Sequence, residues 1–269
     1  MERLGIIGAG AMGAAIIKGL ITKEYLKPQQ LLLVETDPAK ISYFEAHYQV
    51  GAKATYTELA ACCDTIILAV KPHIQPIVAE TLGPAVGSRH LLVSIAAGIT
   101  VSTLDSWYPY SRVIRVMPNT PLQIGHGMSV VCPGKTASAA DITTVVNLFS
   151  VLGKVIQLPE SLFDAATAIS GSGPAYVYYL VEAMIDAGVL LGLSRKDAEL
   201  MVTETFSGAI ALLQQTGEHP AKLRNEVTSP GGTTAAALFE FEKNAVAGII
   251  MEALKAAAVR SAELGKSHK

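Results

Sequence analysis

A chain of 269 residues is long enough for one large or two ordinary domains, and two are expected. Only 16% of its residues are charged while 50% are apolar, against about 25% charged in an average protein, so part of the apolar surface is expected to be covered by another subunit. A net charge of −2, with lysines and arginines scattered and no aromatic interleaving, provides no broad cationic field, so nucleic acid is not an expected partner and small ligands are favoured.

The first strand is expected to begin by Arg3, which leaves no room for a secretory leader. Up to about Pro159, short apolar runs alternate with amphipathic stretches: Leu4 to Gly8, Leu31 to Glu35, Thr65 to Val70, Leu91 to Ile95, Arg112 to Met117 and Met128 to Val131. Runs of Val, Ile and Leu without clean alternation mark strands buried on both faces, which belong to a mainly parallel sheet covered by helices. The fold expected for residues 1–159 is a doubly wound α/β domain of the Rossmann type.

Gly8-Ala9-Gly10-Ala11-Met12-Gly13 follows the first of these strands and precedes a helix, the context a dinucleotide-binding turn requires. The first glycine makes the turn, the second lets backbone approach a pyrophosphate, and the third lets helix and strand pack closely. Glu35 ends the second strand, where an acid accepts hydrogen bonds from the adenosine ribose and repels a 2′-phosphate; the bland alternative is a glutamate facing solvent. With Thr36 and Asp37 beside it, this end favours NADH, and the nearest cation, Lys40, sits inside the next predicted helix.

Cys62, Cys63 and Cys132 are odd in number and none has metal-ligand spacing, so reduced, structural thiols in a cytoplasmic protein are expected, and no metal. Ala69-Val70-Lys71-Pro72 closes the Thr65 strand at the carboxyl edge of the sheet, making Lys71 either a cofactor-edge residue or a solvated lysine in a turn. Ser94 to Gly98, including Ala97, and Met117 to Pro121 close the next two strands at that edge, with small residues that leave space for a nicotinamide. Asn119 either bonds the carboxamide or caps the turn between two prolines. The longest uncharged apolar stretches, such as Leu91 to Leu104, fall short of the ~20 residues needed to cross a bilayer, so a soluble protein is expected.

After Pro159 the strand signal stops, and residues 160–269 read as an all-helical domain. Ser161 with Asp164, and Ser194 with Asp197, are expected N-cap pairs. Ser170-Gly171-Ser172-Gly173-Pro174 opens a helix in which Tyr176, Tyr179, Leu180, Ala183, Met184, Ala187, Leu190 and Leu191 recur at helical spacing, so a central core helix is expected there. Thr228-Ser229-Pro230-Gly231-Gly232-Thr233-Thr234 sets two glycines and four hydroxyls, with no charge, before an Ala-rich helix. It reads either as an anion site built on backbone amides or as a glycine C-cap followed by a capped helix. The closing helix, roughly Asn244 to Leu264, is apolar on more than one face and is expected to pack against another subunit.

Taken together, Gly-x-Gly-x-Met-Gly, Ala69 to Pro72, Met117 to Pro121, Ser170 to Tyr176 and Ser229 to Thr234 occur in an order and spacing that resembles the pyrroline-5-carboxylate reductases over essentially the whole chain. The resemblance implies NAD(P)H-dependent reduction of the C=N bond of 1-pyrroline-5-carboxylate to L-proline, the last step of proline synthesis. It also implies a Rossmann domain followed by a helical domain that interlocks in dimers, often assembled into rings. Carried over by position, Ser229, Gly231, Gly232, Thr233 and Thr234 match the loop that holds the substrate carboxylate, Thr234 matches the threonine facing the imine nitrogen, and Ser172 is a weaker contact. Glu35, Thr36 and Asp37 stand where many relatives carry Ser, Thr or Pro with basic groups nearby, and Tyr56 where relatives often have Asn near the ribose, so the cofactor expectation is NAD(P)H leaning to NADH. The rival readings are a β-hydroxyacid dehydrogenase, disfavoured because no lysine lies between Lys154 and Lys196, and a non-catalytic dinucleotide sensor, disfavoured by the intact Ser229 to Thr234 loop.

Overall fold

Short runs of Val, Ile and Leu with no polar face become strands that are covered on both sides. The computed structural model describes residues 3–266. In chain order the strands are β1 (Leu4–Ile7), β2 (Leu31–Val34), β3 (Gly51–Ala52), β4 (Thr65–Leu68), β5 (Leu91–Ser94), β6 (Arg112–Met117), β7 (Gly127–Pro133) and β8 (Gly153–Gln157). They form one sheet in the order β3-β2-β1-β4-β5-β6-β7-β8, parallel throughout except for the β6–β7 pair. The order reverses between β1 and β4, which is where open α/β sheets leave a crevice at the carboxyl ends of their strands.

Alternate residues of each strand serve opposite faces. Leu4 and Ile6 of β1, Ile67 of β4 and Val93 of β5 join a core with the helices α1 (Ala11–Thr22), α2 (Pro38–Tyr48) and α6 (Ala139–Ser150). Ile7, Ile66, Leu68 and Leu92 join a second core with α3 (Tyr56–Cys62), α4 (Gln75–Leu82) and α5 (Val101–Trp107). The doubly wound expectation is met. β3 and β8 extend it at the two edges of the sheet, where pairs of residues and half-exposed positions gave no apolar run to read.

The chain divides into two compact units. One runs to Ser172 and includes the residues from Ala256 onward, and the other is Gly173–Lys255. The sequence boundary at Pro159 marks where strand signal ends, whereas this division falls later because α7 (Phe163–Ala166) buries Phe163 with Val101, Val130 and Cys132 of the sheet unit. The Ser161–Asp164 N-cap is not formed: the residue before α7 is Leu162, without a side-chain cap, and Asp164 instead accepts a 2.7 Å hydrogen bond from Ser261 Oγ. All three cysteines are free, and burial, with Cys62 beside it, pushes the Cys63 thiol up to about 12.

The second unit contains α8 (Gly173–Leu190), α9 (Arg195–Thr216), α10 (Pro220–Glu226), α11 (Thr233–Lys243) and the first part of α12 (Val246–Lys266). Ser194 caps α9 by accepting from the Asp197 amide, as its sequence indicates. Gly188 lets α9 approach, since a Cβ there would sit 3.0 Å from that of Ala198. The expected core face, Tyr176 to Leu191, is not the face that packs: none of its eight residues is buried, because the helix turns a different side, that of Ile185, toward α9. α8 buries Ile185 against Ala198 and Val202, but Tyr179 is 72% exposed, Leu190 87% and Leu191 84%. Its period identifies an apolar helix without identifying what covers it, and among the described residues α9 is the one helix that shares a buried core with it. Among the described residues no helix is long and apolar enough to cross a membrane.

Candidate active site

The crevice at the switch point is a cleft of about 680 Å³ lined by the ends of β1, β2, β4, β5 and β6 and by the start of α1. Gly8 takes φ +98°, a left-handed conformation that a side chain would strain. A Cβ on Gly13 would lie 2.1 Å from the carbonyl oxygen of Gly8, so only glycine lets α1 pack on the turn. Gly10 differs: its φ is −65° and nothing of the protein lies within 4 Å of a Cβ built on it. It is the N-cap of α1, with no side chain bonded to the first-turn amides and no acid in that turn. The N-terminus of a twelve-residue helix therefore opens on the cleft without a side-chain cap of its own.

Glu35 follows β2 directly and is drawn inward rather than out to solvent, with its side chain only 9% exposed. Its Oε2 accepts from Ala9 N at 2.6 Å, and its Oε1 accepts from Thr36 N at 2.8 Å, Asp37 N at 3.1 Å and the Thr36 hydroxyl at 3.2 Å. Lys40 Nζ stands 3.9 Å from Glu35 and 3.8 Å from Asp37. Burial works against this charge, but the amides of Ala9, Asp37 and Thr36, with Lys40, hold the carboxyl below the usual carboxylate value. Asp37 itself caps α2 through Ala39 N and does not line the cleft.

Asn119, at the far wall of the cleft, is buried and fully engaged. Its Oδ1 accepts from Met128 N at 2.8 Å, and its Nδ2 donates to the carbonyl of Ser170 at 3.1 Å and to Ser170 Oγ at 3.4 Å. The expected cap of the turn between the two prolines is not formed, since Asn119 precedes Thr120–Ile124 without a side-chain cap; its carboxamide instead ties β6 and β7 to a π-helical turn, Thr167–Gly171. That turn brings Gly171 to the cleft wall, where a Cβ would meet the Met117 side chain at 2.6 Å.

The structure thus brings Gly8, Gly10, Ala11, Met12, Glu35, Thr36, Ala69, Val70, Lys71, Pro72, Ala97 and Asn119 to one cleft. Ala9, Gly13, Asp37 and Ser172 adjoin this group without lining it. Lys40 and Tyr56 also line the cleft. Sequence reading set Lys40 aside for lying within a helix, yet Asp37 as N-cap puts Lys40 in the first turn of α2, and that position was the available signal.

In the helical unit, Gly231 takes φ +68° and Gly232 is the N-cap of α11, its N–H donating to the Ser229 carbonyl at 3.0 Å. Neither Ser229 nor either threonine caps the helix, and its first turn holds no acid. The loop therefore departs from the capped-helix alternative: Thr233 and Thr234 are the first two residues of an eleven-residue helix whose positive end is bare. Ser229 and Thr233 are exposed and Thr234 half-buried.

Comparison with known proteins adds to these features. Residues 160–264 match the family described as pyrroline-5-carboxylate reductase dimerisation, and residues 3–98 match the family described as NADP oxidoreductase, coenzyme F420-dependent. The chain is 39% identical to a pyrroline-5-carboxylate reductase of Synechocystis sp. across 98% of both proteins. It is 38% identical to that of Arabidopsis thaliana across 98% of this chain and 96% of the relative. A solved structure of Plasmodium falciparum pyrroline carboxylate reductase with NADP bound superposes with a TM-score of 0.90 at 34% identity, covering 98% of this chain and 99% of that one. With full-length identity at this level, a doubly wound sheet carrying a glycine turn and a helical unit matching the dimerisation family, the chain belongs to the pyrroline-5-carboxylate reductase family.

Proposed function

We propose that this protein reduces the C=N bond of 1-pyrroline-5-carboxylate to give L-proline, with a reduced nicotinamide dinucleotide as reductant. The observation that carries this reading is the uncharged, uncapped N-terminus of α11 behind Gly231 and Gly232, in a chain of this family. A substrate carboxylate set there is stabilised by ~0.3–1 kcal/mol, and by up to ~2 when partly buried, without a buried arginine. Ser229, Gly231, Gly232 and Thr233 hold that carboxylate, and Ser172 gives a weaker contact. The Thr234 hydroxyl holds a hydrogen bond at the imine nitrogen, which must carry a proton when its neighbouring carbon is reduced.

The cleft suits a dinucleotide. Nothing in the chain's own packing requires glycine at position 10, whereas a pyrophosphate brought against the amides of Ala11 and Met12 does. Gly8 and Gly13 shape the turn, with Ala9 between Gly8 and Gly10. Glu35 and Thr36 face the adenosine ribose, with Asp37 beside them, and the strand ends at Ala69, Val70, Lys71, Pro72 and Ala97 border the rest. Asn119 supports the nicotinamide end through Ser170. When bound, the reduced nicotinamide supplies the hydride. Position and a dry, shaped surface account for much of the remaining acceleration.

The Glu35 carboxylate favours NADH over NADPH. The exposed apolar side chains of the helical unit, among them Leu190, Leu191, Phe239 and Met251, are covered by a second copy of the chain, as a dimer or a ring of dimers. Three free cysteines fit a reducing cytoplasm. Purified protein mixed with NADH and 1-pyrroline-5-carboxylate tests the whole reading: loss of absorbance at the reduced-nicotinamide band with formation of proline supports it. Turnover of a 3-hydroxyacid with none of the imine would reverse it.

A further inference from the structure

Glu35 is an unusual ribose reader because its acceptor capacity is largely used within the protein. Three backbone amides and one hydroxyl converge on its two oxygens, from the glycine turn on one side and from the segment after β2 on the other. Such a nest of donors is the arrangement that binds a phosphate oxygen. Lys40 completes it as a cation, ion-paired at 3.9 Å from Glu35 and 3.8 Å from Asp37, beyond hydrogen-bond length, with a side chain 44% exposed. We infer that Glu35 and Lys40 act as a two-part cofactor selector, in which the carboxylate occupies the donors a 2′-phosphate would use and Lys40 is the cation held in reserve for that phosphate.

This rests on reading the cleft as a dinucleotide site. It goes beyond simple repulsion of a 2′-phosphate by an acid, because it assigns the discrimination to two residues acting together. Removing the carboxylate then does two things: it abolishes a like charge, and it releases the amides of Thr36 and Asp37 together with Lys40. Asp37 remains, its Oδ1 committed to Ala39 N, so some repulsion persists and the switch is incomplete. If charge repulsion alone discriminated, Lys40 would be irrelevant to the gain.

The test is a double-mutant cycle on the intact oligomer, reading dissociation constants for NADH and NADPH from nicotinamide fluorescence. Glu35→Ser is expected to raise the affinity ratio of NADPH to NADH about tenfold, and the same change made in a Lys40→Ala background about twofold or less. Glu35→Gln, which keeps an acceptor for Ala9 N, repeats the cycle should serine loosen the glycine turn. Equal gains in both backgrounds overturn the selector, as does a gain that vanishes with Lys71→Ala instead, the other lysine lining the cleft. Wild-type protein that binds neither dinucleotide brings down the cleft reading itself, whereas tight NADH binding with no gain from either Glu35 variant brings down the selector alone.

Discussion

The two units of the chain are built from the same apolar alphabet and use it differently. Every residue of β1, β4 and β5 is buried, and the sheet carries a full core on each face. In the helical unit, α8 buries only Ile185, α9 only Ala198 and Val202, and α11 nothing. A fold can therefore be complete in one part and unfinished in another part of a single chain. Leu190, Leu191, Leu200, Phe239, Ile249 and Met251 are all exposed there. Apolar surface on this scale marks an interaction face.

The contrast extends to chemistry, and the largest expected effect tests it there. If the sheet unit supplies cofactor affinity and the helical unit supplies the group acting on the imine, Thr234→Ala lowers turnover about 10²–10⁴-fold while NADH affinity stays near its original value. Steady-state rates with a parallel fluorescence titration read both quantities. Unchanged turnover would remove Thr234 from the mechanism.

Stability comes next. Leu20 on α1 is wholly buried, and Leu20→Ala should cost about 2–5 kcal/mol in denaturant unfolding through lost contacts and the cavity left behind. Leu190→Ala, at an exposed position, should cost under about 0.5 kcal/mol in the dilute, separated chain and more as protein concentration rises. A concentration-independent cost as large as that of Leu20 would mean that α8 has a core within its own chain, and the contrast would fail. Ile250→Asp, in the second turn of α12, carries the same question to the assembled state. A carboxylate placed in a covered apolar face should weaken self-association by about 10- to 100-fold and lower the mass seen by light scattering. An unaltered mass would move the interface off that face of α12.

How much of this was legible depended on whether the deciding interaction was local. The glycine turn could be read because Gly8, Gly10 and Gly13 act within one strand-helix junction, and Ser194 could be read as a cap because its partner is Asp197. Asp164 could not, since the hydroxyl that claims it is Ser261, at the other end of the chain. Asn119 was legible as a residue at the strand edge but not as the tie to Ser170, which lies across the sheet unit from it in sequence. Glu35 was read as facing either a ribose or solvent, whereas the parallel pairing of Ile7 with Val34 sets it beside Ala9 N. The period of α8 was correct about which residues share a face and silent about what covers that face.

The smallest effect separates local chemistry from surroundings, because each unit has a serine cap of nearly the same design. Ser138 accepts from Asp141 N at 3.2 Å and Ser194 from Asp197 N at 3.1 Å, and each serine hydroxyl donates to its aspartate at 2.6 Å. Asp141 is buried in the sheet unit and paired with Arg112, while Asp197 is exposed. Loss of either hydroxyl by substitution with alanine should cost roughly 0.5–2 kcal/mol. Ser138→Ala should fall at the upper end and lower the global unfolding free energy, since it strips a hydrogen bond from a buried carboxylate. Ser194→Ala should fall at the lower end and register first as faster amide exchange in the opening turn of α9, where water can replace the hydroxyl. Equal global costs would mean that the cap alone sets the energy, and that the difference between the units stops at their apolar cores.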